Sequence, residues 1–147
     1  LRHIYRCPLR WADMDAYGHV NNVVFLRYLE EARIDFLFRP DKDFKQGSVV
    51  ARHEIDYKRQ LVHRHEPVDI ELWVTEIKAA SFTLTYEVKD GDLVYVRAST
   101  VIVPFDFDAQ RPRRITAEER EFLREYMDTA EGTADAEPDP EGEAVAA

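Results

Sequence analysis

The chain has 147 residues with 20 Lys and Arg against 29 Asp and Glu, a net charge of −9 and a pI near 5.0. That balance, with no basic stripe, excludes a nucleic-acid-binding role, and no apolar run approaches the roughly 18–20 residues needed to span a bilayer. A hydrophobic content of 45% and an aromatic content of 12% suit one domain with one packed core.

The charge is unevenly spread. Seven acidic residues and no Lys or Arg follow from Asp128 onward, which leaves −2 for the rest of the chain, too weak a field to repel an anionic ligand. The single cysteine, Cys7, excludes an internal disulfide and fits a reducing cytoplasm. No signal peptide is read in the opening Leu1-Arg2-His3-Ile4, so the expected location is cytoplasmic.

Arg2 to Arg10 reads as a first strand, followed by an Asp-rich loop. From about Asn22 to Arg39 the spacing predicts a helix. Phe25, Leu29, Ala32 and Phe36 form one apolar stripe, broadened by Leu26 and Leu37, and Pro40 marks the end. Arg27 with Glu31 and Glu30 with Arg33 are spaced to pair on its exposed side.

Four strands follow. Val49 to Lys58, Val68 to Thr75 and Phe82 to Lys89 each alternate apolar and polar residues with a period of two, the first with His53 on its apolar register. The turn Asp90-Gly91 predicts a tight hairpin into Leu93–Phe105, which reads as apolar on both faces at Val94, Val96, Ala98 and Ile102 and so as a central or interface strand. Thr116 with Glu119 three residues later is a capping box for a second helix, with Phe122, Leu123 and Tyr126 on its apolar side. Residues 1–129 are expected to form the domain, and 130–147, nearly devoid of large apolar residues, a disordered acidic tail.

An antiparallel sheet with one apolar face must cover it, and the long helix is the large element available. The predicted fold is α+β, a five-stranded antiparallel sheet wrapped around one long helix, with a short helix at the end.

The segment Trp11-Ala12-Asp13-Met14-Asp15-Ala16-Tyr17-Gly18-His19-Val20-Asn21-Asn22 carries the chemistry. It places two carboxylates, a glycine turn, an imidazole and two Asn residues just before the N-terminus of the long helix. Such a terminus presents unpaired N–H groups and about half an elementary positive charge, where an oxygen that turns negative during a reaction can be held. A carboxylate upstream can fold back beside it as nucleophile or general base. Read alone, Asp13 and Asp15 could equally cap turns.

This segment, the helix stretch Tyr28-Leu29-Glu30-Glu31-Ala32-Arg33 and the strand end Tyr57-Lys58-Arg59 together resemble the hotdog-fold acyl-CoA thioesterases of the 4-hydroxybenzoyl-CoA thioesterase type, over about residues 2–115. The resemblance implies a single hotdog domain that hydrolyses an acyl-CoA thioester to free acid and CoA, without a cofactor. It implies Asp15 as the catalytic carboxylate and the backbone N–H of Asn22 as donor to the thioester carbonyl, with Asp13 as the backup. Attack by Asp15 to form a mixed anhydride and activation of water by Asp15 both remain open. Gly18, His19, Asn21, Tyr57, Lys58 and Arg59 are the expected substrate-binding set. Within it Gly18 serves the loop conformation, Asn21 caps the helix, and His19 either meets substrate or bonds the loop.

Cations for the CoA phosphates are sought at Lys58 and Arg59 and at Arg111, Arg113 and Arg114. The ligand groove of this fold lies between subunits, so a homodimer or dimer of dimers is expected, with no nucleic-acid or membrane partner.

Other chemistries are weaker. His63-Arg64-His65 lacks nearby third and fourth ligands, so no metal is expected, and Cys7 has no adjacent base. No Gly-x-Ser-x-Gly elbow surrounds Ser48, Ser81 or Ser99. A hotdog hydratase or dehydratase would need an Asp and His paired for proton transfer, which the loop matches poorly. A non-catalytic acyl-CoA binding module would have no need for Asp15.

Overall fold

The computed structural model describes residues 1–38 and 47–128. The expected helix end at Arg39 and Pro40 and the tail over 130–147 lie outside the described residues. In chain order the elements are β1 (His3–Cys7), a single 3-10 turn (Trp11–Asp13), α1 (Asn22–Leu37), β2 (Ser48–Tyr57), β3 (Val68–Ile77), β4 (Phe82–Asp90), β5 (Leu93–Asp106), β6 (Arg111–Pro112) and α2 (Ala117–Glu125).

The sheet is antiparallel throughout, in the order β1-β3-β4-β5-β2, with β6 paired to β5. Six strands replace the five expected. The additional one is a two-residue return of Arg111–Pro112 onto Phe105–Asp106, too short to show any periodicity. The Asp106 carboxylate accepts the N–H groups of Asp108 and Ala109 at 3.0 Å each and so closes the turn that brings β6 back. Between β4 and β5 the hairpin closes through Gly91, whose φ of +59° lies where a side chain is disfavoured.

The period of two divides the sheet into two faces. Ile70, Leu72, Leu84, Tyr86, Val88 and Val96 point inward and are fully buried. α1 lays Phe25, Leu29, Ala32 and Phe36 against this face, the stripe predicted from their spacing. Each large apolar side chain buried there contributes about 1.5–3 kcal/mol. Val96, Ala98 and Ile102 of β5 fall on the inward face, and the opposite face carries Arg97, Ser99 and Val101; a bulge at Tyr95 breaks the parity there, so that Tyr95 packs against the core while Val94 is buried outside it. The central position expected for β5 is what the strand order shows.

The predicted charge pairs along α1 rearrange. Arg27 reaches Glu30 at 3.8 Å rather than Glu31, and Arg33 leaves the surface altogether, its Nη1 donating to the Tyr86 hydroxyl at 3.4 Å. His53, expected in a core or interface, is exposed in the single subunit, because β2 is an edge strand with most of its length uncovered.

α2 starts at the predicted capping box: Glu119 N–H donates to Thr116 Oγ1 and Thr116 N–H to Glu119 Oε1. Its Phe122, together with Tyr126, packs on Phe36 near the C-terminal end of α1. Beyond the helix the chain runs along the free edge of β3, where Val74 N–H donates to Tyr126 O and Asp128 N–H to Val74 O, both at 2.9 Å.

Candidate active site

The loop between the 3-10 turn and α1 is a tight return. Asp15 N–H donates to His19 O at 2.8 Å, Gly18 N–H to Asp15 O at 3.0 Å, and Met14 and Val20 bridge across its base. Gly18 has a φ of +79°, and nothing lies within 4 Å of where its Cβ would stand. Conformation, not crowding, requires glycine there.

The two aspartates have different surroundings. Asp13 Oδ2 accepts the Tyr28 hydroxyl at 2.7 Å and the Arg10 N–H at 3.2 Å, which ties the loop to the second turn of α1. Burial and the bond to Asp13 both push the Tyr28 phenol up, so it stays a neutral donor. Asp15 uses Oδ1 to accept the Tyr17 N–H at 2.9 Å, the turn-capping role that an isolated aspartate would have. Its Oδ2 is buried without a hydrogen-bond partner.

Two more orphaned polar atoms belong to this segment, His19 Nδ1 and Asn22 Oδ1. Buried polar groups are nearly always partnered, so three in one short segment mark a surface built to meet something else. His19 therefore contributes its backbone carbonyl to the loop and leaves ring Nδ1 unused.

Asn21 caps α1, its Oδ1 accepting the Val23 N–H at 2.9 Å. Asn22 is thus the first helical residue, whose N–H has no acceptor within the helix. The Tyr57 hydroxyl donates to the Asn22 carbonyl at 2.9 Å, and Val20 N–H donates to Leu61 O at 2.7 Å. The segment from Tyr57 to Leu61 is therefore pinned against the loop at both ends, which puts Lys58 and Arg59 beside it. Their own N–H groups both donate to Tyr95 O, holding the segment to β5.

The second set of expected cations is placed elsewhere. Arg113 is forked onto Glu119 by two bonds of 2.9 Å, alongside α2, which packs on Phe36. Phe36 is 14 residues beyond Asn22, or about 21 Å along the helix axis. Arg111, Arg113 and Arg114 of one subunit thus stand at the far end of α1 from its own loop, and Arg113 is committed to an ion pair. Spacing gave no means of finding this, because it follows from where α2 docks.

Cys7 is buried, and burial, assisted by the charges of Asp13 and Glu31, pushes its thiol up to about 12. A thiol so far from ionising is a packed apolar group and not a nucleophile at neutral pH. The His63 ring meets the edges of Trp11 and His65. Among the described residues no group of three or more His, Cys, Asp or Glu side chains comes together as a metal site, and no helix is long and apolar enough to cross a membrane.

Sequence reasoning missed the Tyr28–Asp13 bond and the Leu61 anchor. Both had a faint signal: a tyrosine has a polar end to satisfy when buried, and Leu61 is an apolar residue in a polar loop.

Known proteins share this fold. The family model of the thioesterase-like superfamily matches residues 9–126. The Bacillus subtilis protein YsmA is 30% identical over 123 residues, covering 80% of this chain and 82% of that protein. A predicted thioesterase from Bacillus stearothermophilus superposes with a TM-score of 0.80 at 28% identity, covering 89% of this chain and all of that one. A thioesterase from Thermus thermophilus, solved with coenzyme A and Zn, gives a TM-score of 0.74 at 30% identity, covering 84% of this chain and 92% of that one. With the sheet wrapped on one long helix and the loop poised at that helix's first turn, the chain belongs to the thioesterase-like superfamily and has its hotdog-type fold.

Proposed function

We propose that this protein hydrolyses acyl-CoA thioesters to a free carboxylic acid and CoA, with Asp15 as the catalytic carboxylate. The observation that carries the reading is Asp15 Oδ2: a buried carboxylate oxygen without a partner, in the loop that ends on the first residue of α1. A thioester carbonyl seated at that helix end accepts the Asn22 N–H, and the helix dipole stabilises the oxygen as it becomes negative. Asp15 supplies the electron pair that reaches the carbonyl carbon, directly or through a water it deprotonates, and the CoA thiolate leaves. Gly18 holds the loop in its turn, Asn21 holds the first N–H groups of α1 in line, and Tyr57 fixes the Asn22 peptide from behind. His19 faces the acyl thioester with its unused ring nitrogen. Lys58 and Arg59 stand where the CoA moiety emerges, their charge suited to its phosphates.

The binding of coenzyme A by the Thermus relative supports acyl-CoA as the substrate class. Neither a cofactor nor a metal is needed for this chemistry, and the reading places the reaction in the cytoplasm, where acyl-CoA is made and used. The deciding experiment is Asp15→Asn assayed for release of free CoA from a panel of acyl-CoAs. A fall of about 10²-fold or more is expected, the lower range for loss of an acid–base group. Turnover at the parent rate by a folded Asp15→Asn protein overturns the role of this carboxylate.

A further inference from the structure

Arg33 lies on α1 yet is only 8% exposed, and among the described residues no carboxylate pairs with it. A guanidinium left in the protein without a counter-charge is costly. Its surroundings are all polar in one direction. Arg33 donates to the Tyr86 hydroxyl, Tyr86 is bonded to Thr100, and Thr100 Oγ1 lies 2.9 Å from His53 Nδ1. Tyr86 and Thr100 are both fully buried.

A guanidinium has no acceptor, and each hydroxyl has one proton to give. Tyr86 therefore accepts from Arg33, and Thr100, bonded to both Tyr86 and His53, joins the two ends of this chain. Although the residue as a whole is exposed, partial desolvation of its ring and the nearby Arg33 charge both push the His53 pKa down.

Arg33 and His53 line one groove of about 560 Å³ that runs along α1. It begins at Val23, next to Asn22, passes Val24 and Leu26, and reaches Arg33 ten residues on, about 15 Å along the helix axis. The carboxylates on its walls are engaged already: Asp13 with Tyr28, and Glu30 with Arg27. Val23, Val24 and Leu26 thus give the groove an apolar wall among its charged pairs, and Arg33 at its end has no carboxylate partner among the described residues.

We propose that Arg33 and His53 form a specificity subsite for acyl groups that carry a second carboxylate at the end remote from the thioester. This rests on the acyl-CoA hydrolase reading above. The far carboxylate accepts from the Arg33 guanidinium, beside the His53 ring, while the methylene chain lies on Val23, Val24 and Leu26.

The test compares matched substrates long enough to span the groove, sebacyl-CoA with decanoyl-CoA and dodecanedioyl-CoA with dodecanoyl-CoA. A charge-assisted bond formed in a sheltered site raises kcat/KM for the carboxylated member by about tenfold or more. In Arg33→Met the ratio falls to about one, and Arg33→Lys keeps part of it, with circular dichroism melting to establish that each variant is folded. The parent protein decides even if Arg33→Met does not fold, because a parent ratio of one or below overturns the subsite. If neither member is hydrolysed, the hydrolase reading fails, and calorimetric binding of the same pairs becomes the test. Tighter binding of the carboxylated member then upholds the subsite, and equal binding overturns it. An unchanged ratio in folded Arg33→Met that has dissociated in light scattering assigns the guanidinium to a carboxylate of a second copy, and the proposal falls.

Discussion

The Tyr28 hydroxyl donates to Asp13 Oδ2 at 2.7 Å, while two residues further on Asp15 Oδ2 is buried with no partner at all. Two carboxylates of the same kind in one short segment are thereby separated into a strut and a reactive group. Asp13→Asn removes the charge-assisted acceptor for Tyr28 and for the Arg10 N–H, and is expected to cost about 1–3 kcal/mol of stability. Its loss of turnover should stay well short of the loss in Asp15→Asn. Thermal melts set beside initial rates for the two variants check this. A stable, inactive Asp13→Asn beside a fully active Asp15→Asn would reverse the assignment.

Tyr57 acts on the site through the peptide of Asn22, to whose carbonyl it donates. Tyr57→Phe keeps the ring against Phe25 but loses that bond, so the first turn of α1 is less firmly placed. The expected result is a drop in kcat of about three- to tenfold with a smaller change in KM, and a stability loss of about 1 kcal/mol. Steady-state kinetics resolve the two parameters. A change confined to KM would place the hydroxyl on substrate instead.

Glu119 is 1% exposed and gripped by Arg113. Burial pushes its carboxyl up, but the Arg113 fork and the Thr116 bonds outweigh burial and hold it below its ordinary value of 4.5. A carboxylate with a depressed folded-state pKa adds stability that is complete above the unfolded value and is lost as the pH falls through the folded one. The parent melting temperature should therefore fall steeply below about pH 4.5. Glu119→Gln, about 2–3 kcal/mol less stable at neutral pH, should fall less over the same window. Parallel melts from neutral to acidic pH measure it, and identical pH slopes for parent and variant would discount the pair.

The acidic tail and the segment before it should behave differently on truncation. Ending the chain after Thr129 is expected to leave stability and turnover near those of the full chain, since residues 130–147 have no apolar face to bury. Ending it after Glu125 removes the Val74 backbone bonds, the Tyr126 ring on Phe36 and the Asp128–Arg2 pair at 3.0 Å. That shorter chain should melt at least about 5 °C lower, the shift expected for about 2 kcal/mol in a domain of this size. A large loss on the first truncation would mean that the tail docks on the body.

A homodimer at least is expected in solution. β2 is an edge strand, and Val50 on it, with Val23, Ile34 and Phe38 along α1, leaves large apolar side chains more than 40% exposed in one subunit. Light scattering at working concentration measures the mass. A stable and active monomer would remove the shared-groove expectation.

The sequence by itself determined the elements and their inward faces. Alternation with a period of two marked β2 to β5, the 25-29-32-36 spacing marked the buried stripe of α1, and Thr116 with Glu119 marked the start of α2. These are local properties, set by which side of a strand or helix a residue occupies, and they survive into the fold except where a bulge shifts the register, as between Val50 and Arg52 of β2 and between Val74 and Glu76 of β3. The loop motif likewise pointed to the place where α1 begins. What tertiary structure decided is the partner of each polar group. Arg33 stands one turn from Glu30 and reads as a surface pair, yet packing turns it under the sheet toward Tyr86. Arg113 reads as a free cation and is taken by Glu119, while Asp13 and Asp15 are alike until Tyr28 reaches one of them and not the other. Hydrogen bonds and ion pairs depend on atoms within about 3 Å that come from distant parts of the chain, so only the folded geometry assigns them.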